Sequence, residues 1–244
     1  MSKVNIVIPV YNEKGNIGRA LTLVKEQVKV PFKVTIVYDL DSDTSLPEAR
    51  EFNEKLNLDV VYLKNIYGRG ALNAIKSGLN TSDTPYTIIT MADLSDPPRV
   101  INDMVSVAQT NQSDIVCGSR YMKGGSQSGG LTLKSFLSRA AGLTLYYLFG
   151  VPTHDATNSF KLYSQRVLKN ITVESKGGFE LGLELVVKAH LLGYPIHETP
   201  TTWEDRSEGE SRFQLFNWLP SYLKWYLMAV KGRFTKRPAL NKAA

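Results

Sequence analysis

Apolar residues gather into short runs along the first hundred positions, and each run leaves through a polar exit. Val4 to Val10 is almost wholly apolar and exits through Tyr11-Asn12-Glu13. Lys33 to Tyr38 exits through Asp39, and Tyr86 to Thr90 leads by way of Met91 and Ala92 to Asp93. These runs are rich in Val, Ile and Thr, which suits strands. Between Asn16 and Val28 the apolar positions change period. Ile17, Leu21, Val24 and Val28 recur at helical spacing. Strands alternating with helices predict a mixed, mainly parallel α/β sheet flanked by helices, a Rossmann-like arrangement.

The polar exits carry the candidate chemistry. Pro97 and Pro98 cannot continue the strand that precedes Asp93. A carboxylate at the C-terminal end of a parallel strand lies where open α/β sheets bind ligands. Oxygen donors there, Asp93 with Asp96 nearby, suit Mg²⁺ or Mn²⁺ holding a diphosphate. A solvated strand-end Asp is the plain alternative.

Several blocks in order sharpen this. They are Ile8-Pro9-Val10-Tyr11-Asn12-Glu13, Gly68-Arg69-Gly70-Ala71-Leu72-Asn73-Ala74, Gly118-Ser119-Arg120, Asp155-Ala156-Thr157-Asn158-Ser159-Phe160-Lys161, and Trp203-Glu204-Asp205-Arg206 through Ser211-Arg212. Together the chain from about residue 4 to 213 resembles the family-2 glycosyltransferases, and within them the polyprenyl-phosphate, dolichol-phosphate-mannose-synthase-like branch. The resemblance implies a nucleotide-diphospho-sugar transferase fold, a UDP or GDP sugar donor and inversion at the anomeric carbon. It implies nucleoside contacts at Pro9, Tyr11, Glu13 and Asp39, a glycine turn at Gly70, and the metal at Asp93. Arg120, Arg206 and Arg212, with Ser211, would meet phosphate, and Asp155 with Lys161 would face the acceptor. Two positions depart from the family pattern. Tyr38 precedes Asp39, and Met91 stands where the first Asp of an Asp-x-Asp metal motif belongs. A thioether is a poor ligand for a hard cation.

Charge adds a second region. Of 29 Lys and Arg, six lie beyond residue 212, where there is no acid; the other 23 balance the 23 Asp and Glu, so the net +6 is a C-terminal feature. This divides the chain into a catalytic domain, 1–212, and a basic amphipathic segment, 213–244. In that segment Leu219, Leu223, Tyr226 and Val230 share one stripe, while Trp218, Tyr222 and Trp225 share another. Asn217 is a candidate cap, with Pro220 in the first turn. The segment is too short and interrupted to span a bilayer, but rings and trailing cations suit a membrane interface. A helix packed on the domain with a frayed tail is the alternative. No nucleic-acid recognition motif is present.

Leu131 to Phe149 is apolar around much of its circumference, as core or interface helices are. The preceding Lys123 to Gly130 holds four glycines in eight residues and reads as a lid or a plain loop. Cys117, the one cysteine, follows Ile115-Val116 and reads as a core thiol. No charged region followed by an apolar core opens the chain, so a cytoplasmic enzyme peripheral to the membrane is expected. The expected activity is metal-assisted transfer of a sugar to a lipid phosphate such as polyprenyl phosphate. Transfer to a sugar hydroxyl of a glycolipid or polysaccharide is the alternative, and a weakly catalytic nucleotide-sugar-binding subunit is the alternative of another class.

Overall fold

The computed structural model describes residues 4–128, 133–204 and 215–234. The first half alternates regularly: β1 (Val4–Val10), α1 (Ile17–Gln27), β2 (Phe32–Tyr38), α2 (Ser45–Leu56), β3 (Val60–Lys64), α3 (Ala71–Asn80), β4 (Tyr86–Ile89), α4 (Val100–Thr110) and β5 (Ile115–Ser119). The second half is less regular: β6 (Ser126–Gln127), α5 (Leu133–Phe149), β7 (Lys161–Ser164), α6 (Gln165–Asn170), α7 (Leu181–Leu192), β8 (Ile196–Pro200), β9 (Thr202–Trp203) and α8 (Leu215–Arg233).

Seven strands form one sheet in the order β3-β2-β1-β4-β7-β5-β8. Only β7 runs antiparallel to its neighbours. The mixed, mainly parallel sheet read from the sequence is therefore present. All its parallel strands end on one edge, and the loops leaving that edge build the candidate site.

Every residue of β1 is buried, because helices cover both faces of the sheet. Ile6 and Ile8 share a cluster with Ile17, Leu21 and Val24 of α1 and Ile101 and Met104 of α4. Val7, pointing the other way, joins Leu72, Ile75 and Leu79 of α3. The helical stripe predicted for residues 16–28 is thus the face of α1 that seats on the sheet. Cys117 is fully buried in the core, and burial pushes its thiol up to about 11.

The C-terminal helix departs from expectation in two ways. It starts at Leu215, so Asn217 is not its cap and Pro220 lies inside it. Trp225, expected at a membrane interface, is 1% exposed. Its indole N–H donates to Ser175 Oγ at 3.0 Å, and the ammonium groups of Lys224 and Lys188 lie over its ring at 4.2 and 5.0 Å. Tryptophan offers much apolar area and one donor, and packing against α7 with a serine partner satisfies both. Among the described side chains of α8, the exposed large apolar ones are Leu219, Leu223 and Leu227. Of the glycine-rich segment, Gly129 and Gly130 lie outside the described residues. Ser126–Gln127 pairs with Thr202–Trp203 as a two-stranded ribbon.

Candidate active site

The exits of β1 and β2 are held by carboxylates that accept backbone N–H groups. Asn12 is left-handed (φ 56°), and its N–H donates to Asp43 Oδ1 at 3.1 Å. Glu13 N–H donates to Ser45 Oγ at 2.8 Å. Tyr11 remains 42% exposed at the strand end, where a nucleoside could reach it. Pro9, by contrast, is buried within β1 opposite Val37, so it shapes the strand and does not present a surface.

Asp39 links two turns. Its Oδ1 accepts from Asn65 Nδ2 at 2.8 Å and its Oδ2 from Gly70 N–H at 2.9 Å. Gly70 has φ +119°, a conformation that side-chain-bearing residues rarely adopt, which explains glycine at the start of α3. Asn65 escaped the sequence reading. Its amide also donates to the Gly68 carbonyl at 2.6 Å, while its oxygen accepts from Ser77 Oγ at 2.8 Å and Tyr67 N–H at 3.1 Å. A carboxylate has more acceptor positions than these two contacts use, so Asp39 can still meet a ribose or base donor.

The turn after β4 presents Asp93. Its Oδ1 accepts from Ser95 N–H at 3.1 Å and Ser95 Oγ at 2.7 Å. Leu94 is left-handed (φ 58°), which tightens this turn. Asp96 is not beside Asp93 as a second surface donor. It is 5% exposed, and its Oδ1 accepts from Asn158 Nδ2 at 3.2 Å and Thr201 Oγ1 at 3.4 Å. Burial raises its carboxyl to about 7, against the lowering effects of the Asn158 hydrogen bond and Arg120. Among the described residues no three His, Cys, Asp or Glu side chains gather to hold an ion. With Met91 in place of an acid, the donor set fits a hard cation carried in on a diphosphate, with Asp93 as its protein oxygen. Mg²⁺ commonly binds through one or two carboxylates, waters and substrate phosphates.

Arg120 and Asp155, read as separate groups, form one buried unit. Arg120 Nε donates to Asp155 Oδ2 at 2.6 Å and Nη2 donates to Oδ1 at 3.0 Å, with side chains 10% and 0% exposed. Asp155 also accepts the backbone N–H groups of Arg120 and Asn158, each at 3.1 Å. Burial acts to raise the Asp155 carboxyl, but the charge and hydrogen bonds of Arg120 outweigh it and hold it below its usual range. Hydroxyls surround the pair. Arg120 Nη2 donates to Ser138 Oγ at 3.1 Å, which lies 2.5 Å from Thr157 Oγ1, and Tyr121 O–H donates to Ser138 at 3.2 Å. No sequence signal marked Ser138, since it arrives from the middle of α5.

Lys161, expected near the acceptor, is fully buried on β7 beneath the site. Its ammonium donates to the Asn158 carbonyl, and burial lowers its pKa. It supports the loop from below. Asn158 is the joint of the whole arrangement: its amide reaches Asp96 and the Gly118 carbonyl, and its N–H reaches Asp155. His154 stacks on Tyr146, while His197 is bonded to Ser113 and His190 is buried, so the three histidines do not meet. Arg206, Ser211 and Arg212 lie outside the described residues.

The loops at one edge of a mainly parallel sheet thus carry a strand-end carboxylate turn and a separate, buried guanidinium–carboxylate unit. The family model for glycosyl transferase family 2 matches residues 5–172, and the chain belongs to that family. It is 24% identical over 234 residues to a dolichol-phosphate mannosyltransferase of Pyrococcus furiosus, covering 91% of this chain and 64% of that protein's length. It is 25% identical to a polyprenol monophosphomannose synthase of Mycolicibacterium smegmatis, covering 95% of this chain and 88% of the relative. It is 27% identical to a dodecaprenyl-phosphate galacturonate synthase of Rhizobium johnstonii, covering 97% and 69%. Among solved structures the fold is shared with glucosyl-3-phosphoglycerate synthase of Mycobacterium tuberculosis in complex with Mn²⁺, UDP and phosphoglyceric acid. That match has a TM-score of 0.66 at 13% identity and covers 95% of this chain and 78% of the neighbour.

Proposed function

We propose that the protein is an inverting glycosyltransferase that moves a sugar from a nucleoside diphosphate to a lipid phosphate at a membrane surface. The observation that carries this reading is the Arg120–Asp155 unit with its ring of hydroxyls, set beside the exposed helices α5 and α8. A phosphate monoester is already anionic and nucleophilic at neutral pH, so it needs positioning more than deprotonation. Arg120 and the Ser138 and Thr157 hydroxyls supply donors, and Asp155 fixes the guanidinium plane. The relatives' names, all polyprenyl- or dolichol-phosphate sugar synthases, support this acceptor class.

On the donor side, Tyr11, Glu13 and Asp39 hold the nucleoside and the Asp93 turn receives the diphosphate. A divalent ion bound there, Mg²⁺ or Mn²⁺, would offset the charge that builds on the departing diphosphate. Arg206, Ser211 and Arg212 are assigned to phosphate by the same reading.

The membrane contact rests on exposed apolar side chains next to cations. Helix α5 exposes Leu133, Phe136, Tyr147 and Leu148; α8 exposes its three leucines beside Lys224, Lys231 and Arg233. Thr144 of α5 accepts from the Tyr226 hydroxyl of α8 at 3.0 Å, which ties the two helices together. No helix among the described residues is long and apolar enough to cross a membrane. The contact proposed is peripheral and on the cytoplasmic face, and the exposed side chains of α5 and α8 support a surface contact.

The test is transfer of label from UDP- or GDP-sugars to polyprenyl phosphate with Mn²⁺ present. Label that moves into an organic extract, on an inverted anomeric centre, is the expected result. Label recovered only in free sugar or in water-soluble glycoside would overturn the lipid acceptor.

A further inference from the structure

The geometry points to Glu198 as a positioning residue for the acceptor side, one that no motif in the chain marks and that, among the described residues, touches no expected site residue directly. It lies on β8, the edge strand of the sheet, with its side chain 12% exposed. A carboxylate facing inward at a sheet edge needs partners, and here its hydrogen-bonded partners among the described residues belong to one turn. Thr153 Oγ1 donates to Glu198 Oε2 at 3.1 Å, His154 N–H donates to the same oxygen at 2.8 Å, and His154 Nδ1 lies 2.5 Å from Oε1.

The turn so held is the one that presents Asp155. The chain of contacts reaches Asp155 itself, since its N–H donates to the Thr153 hydroxyl at 3.1 Å, and that hydroxyl donates onward to Glu198. With this tether in place the next carboxylate meets Arg120 at two points. Beneath the turn, strand pairing sets Lys161, Cys117 and Glu198 in one row across β7, β5 and β8. Lys161 supports the Asn158 end of the loop and Glu198 the Thr153 end.

From the other side the turn is pressed by α5. A Cβ on Gly142 would come within 2.1 Å of the His154 carbonyl, so only glycine lets the helix approach this closely. Four residues on, the Tyr146 ring stacks on His154 with centroids 3.7 Å apart. The turn is therefore clamped between Glu198 and α5, and α5 also carries Ser138 to Arg120. Loss of Glu198 frees one side of the clamp and shifts the Asp155–Arg120 unit, while Asp39 and Asp93 are held by other elements. Displacements of about 1 Å in positioning groups can cost around a hundredfold in rate.

The kinetic readout rests on the transferase reading; a second readout does not. In the full chain, Glu198→Ala should lower kcat/KM for polyprenyl phosphate by about ten- to a hundredfold. The thermal shift produced by UDP or GDP with Mn²⁺ should stay as in the wild type. Glu198→Gln keeps one oxygen for Thr153 and the His154 N–H and should restore most of the loss. His154→Phe keeps the stack on Tyr146, removes one contact, and should give an intermediate loss even if the alanine variant fails to fold. Independently of any substrate, the Arg120 Nε–H resonance in ¹⁵N-arginine-labelled protein should move in Glu198→Ala. An unmoved Arg120 resonance, or unchanged acceptor kinetics, would overturn the proposal. So would a fall in nucleotide binding and melting temperature that matches the kinetic loss, because that describes general support of the fold. A wild type that transfers nothing sinks the transferase reading alone, and the resonance then decides Glu198.

Discussion

On the β3-β2-β1-β4 side of the sheet, carboxylates grip backbone N–H groups and leave strand-end side chains at the surface. On the β7-β5-β8 side, a carboxylate grips a guanidinium and both are buried. Asp43 and Asp39 shape loops by holding Asn12 and Gly70, and Tyr11 stays 42% exposed above them. Asp155 instead neutralises Arg120 and accepts two further N–H groups with no exposure at all. The difference predicts how each side fails. Side-chain changes on the donor side should alter binding and leave the fold alone. On the acceptor side chemistry and stability share the same atoms.

Asp155→Asn is the most severe test. It leaves a guanidinium buried without an anion, and breaking a buried pair by removing one partner costs about 3–5 kcal/mol. Urea unfolding should show a loss of that order together with loss of transfer. A change below about 1 kcal/mol, as for a surface pair, would show that water reaches Arg120 and would erase the contrast. Arg120→Lys should lower both turnover and melting temperature. An ammonium cannot reproduce the two parallel N–H···O bonds of a planar guanidinium.

Asp93→Asn probes the other side. Its hydrogen bonds to Ser95 close its own turn, and the variant should change melting far less than Asp155→Asn does. Transfer should fall by about 10²–10³-fold, the scale on which one electrostatic contact to a developing charge acts. Initial rates of labelled-lipid formation, read beside unfolding curves, check both halves of the statement. Wild-type rates in the variant would remove Asp93 from the mechanism.

This asymmetry also explains what the sequence could reveal. Donor-side groups stand at strand ends, and a strand end is a local event: an apolar run stops at Asp39 or at Asp93, and a reader sees it. The helical stripe of α1 is equally local. The acceptor side is assembled from distant segments. Arg120 leaves β5, Asp155 sits 35 residues later, Ser138 comes from the middle of a helix and Glu198 from an edge strand. Spacing carries no trace of such meetings, and an ion pair between two polar candidates looks like two separate candidates. Trp225 shows the same limit. Its composition suited a membrane, but whether it faced α7 or solvent depended on the rotation of α8, which Leu219, Leu223 and Leu227 reveal only once the helix is docked.

Those leucines give the third test, on the outer surface of the acceptor side. Leu223→Glu with Leu227→Glu replaces two exposed apolar side chains, each worth about 1.5–3 kcal/mol when fully transferred from water. Co-sedimentation with anionic vesicles should weaken about tenfold or more, while the thermal shift from nucleotide diphosphate should not change. Binding should also fall with salt, since the neighbouring lysines act through screened charge. Unaltered sedimentation of the double variant would return the stripe to an ordinary exposed helix face.

The last test lies at the seam between the two sides. Asn158 touches both: its amide donates to Asp96, three residues past Asp93, and its N–H donates to Asp155. The two carboxyls are pushed apart by their settings. Asp155 lies below its usual range, so the stability it contributes is present above its unfolded pKa and disappears only in acid. Asp96 is raised from 3.8 to about 7, chiefly by burial, so the folded protein keeps a proton there that the unfolded chain releases. The sign follows from linkage: stability from Asp96 is complete below its unfolded value, declines as pH rises toward its folded one, and is flat above it. Urea melts of the wild type and Asp96→Asn between pH 4 and pH 8 should therefore diverge, the wild type losing stability with rising pH relative to the variant. Asparagine keeps an acceptor for Asn158 but has no proton to lose. Parallel curves would mean that Asp96 titrates as a solvated acid, and the seam would then belong to the open, donor-like side of the molecule.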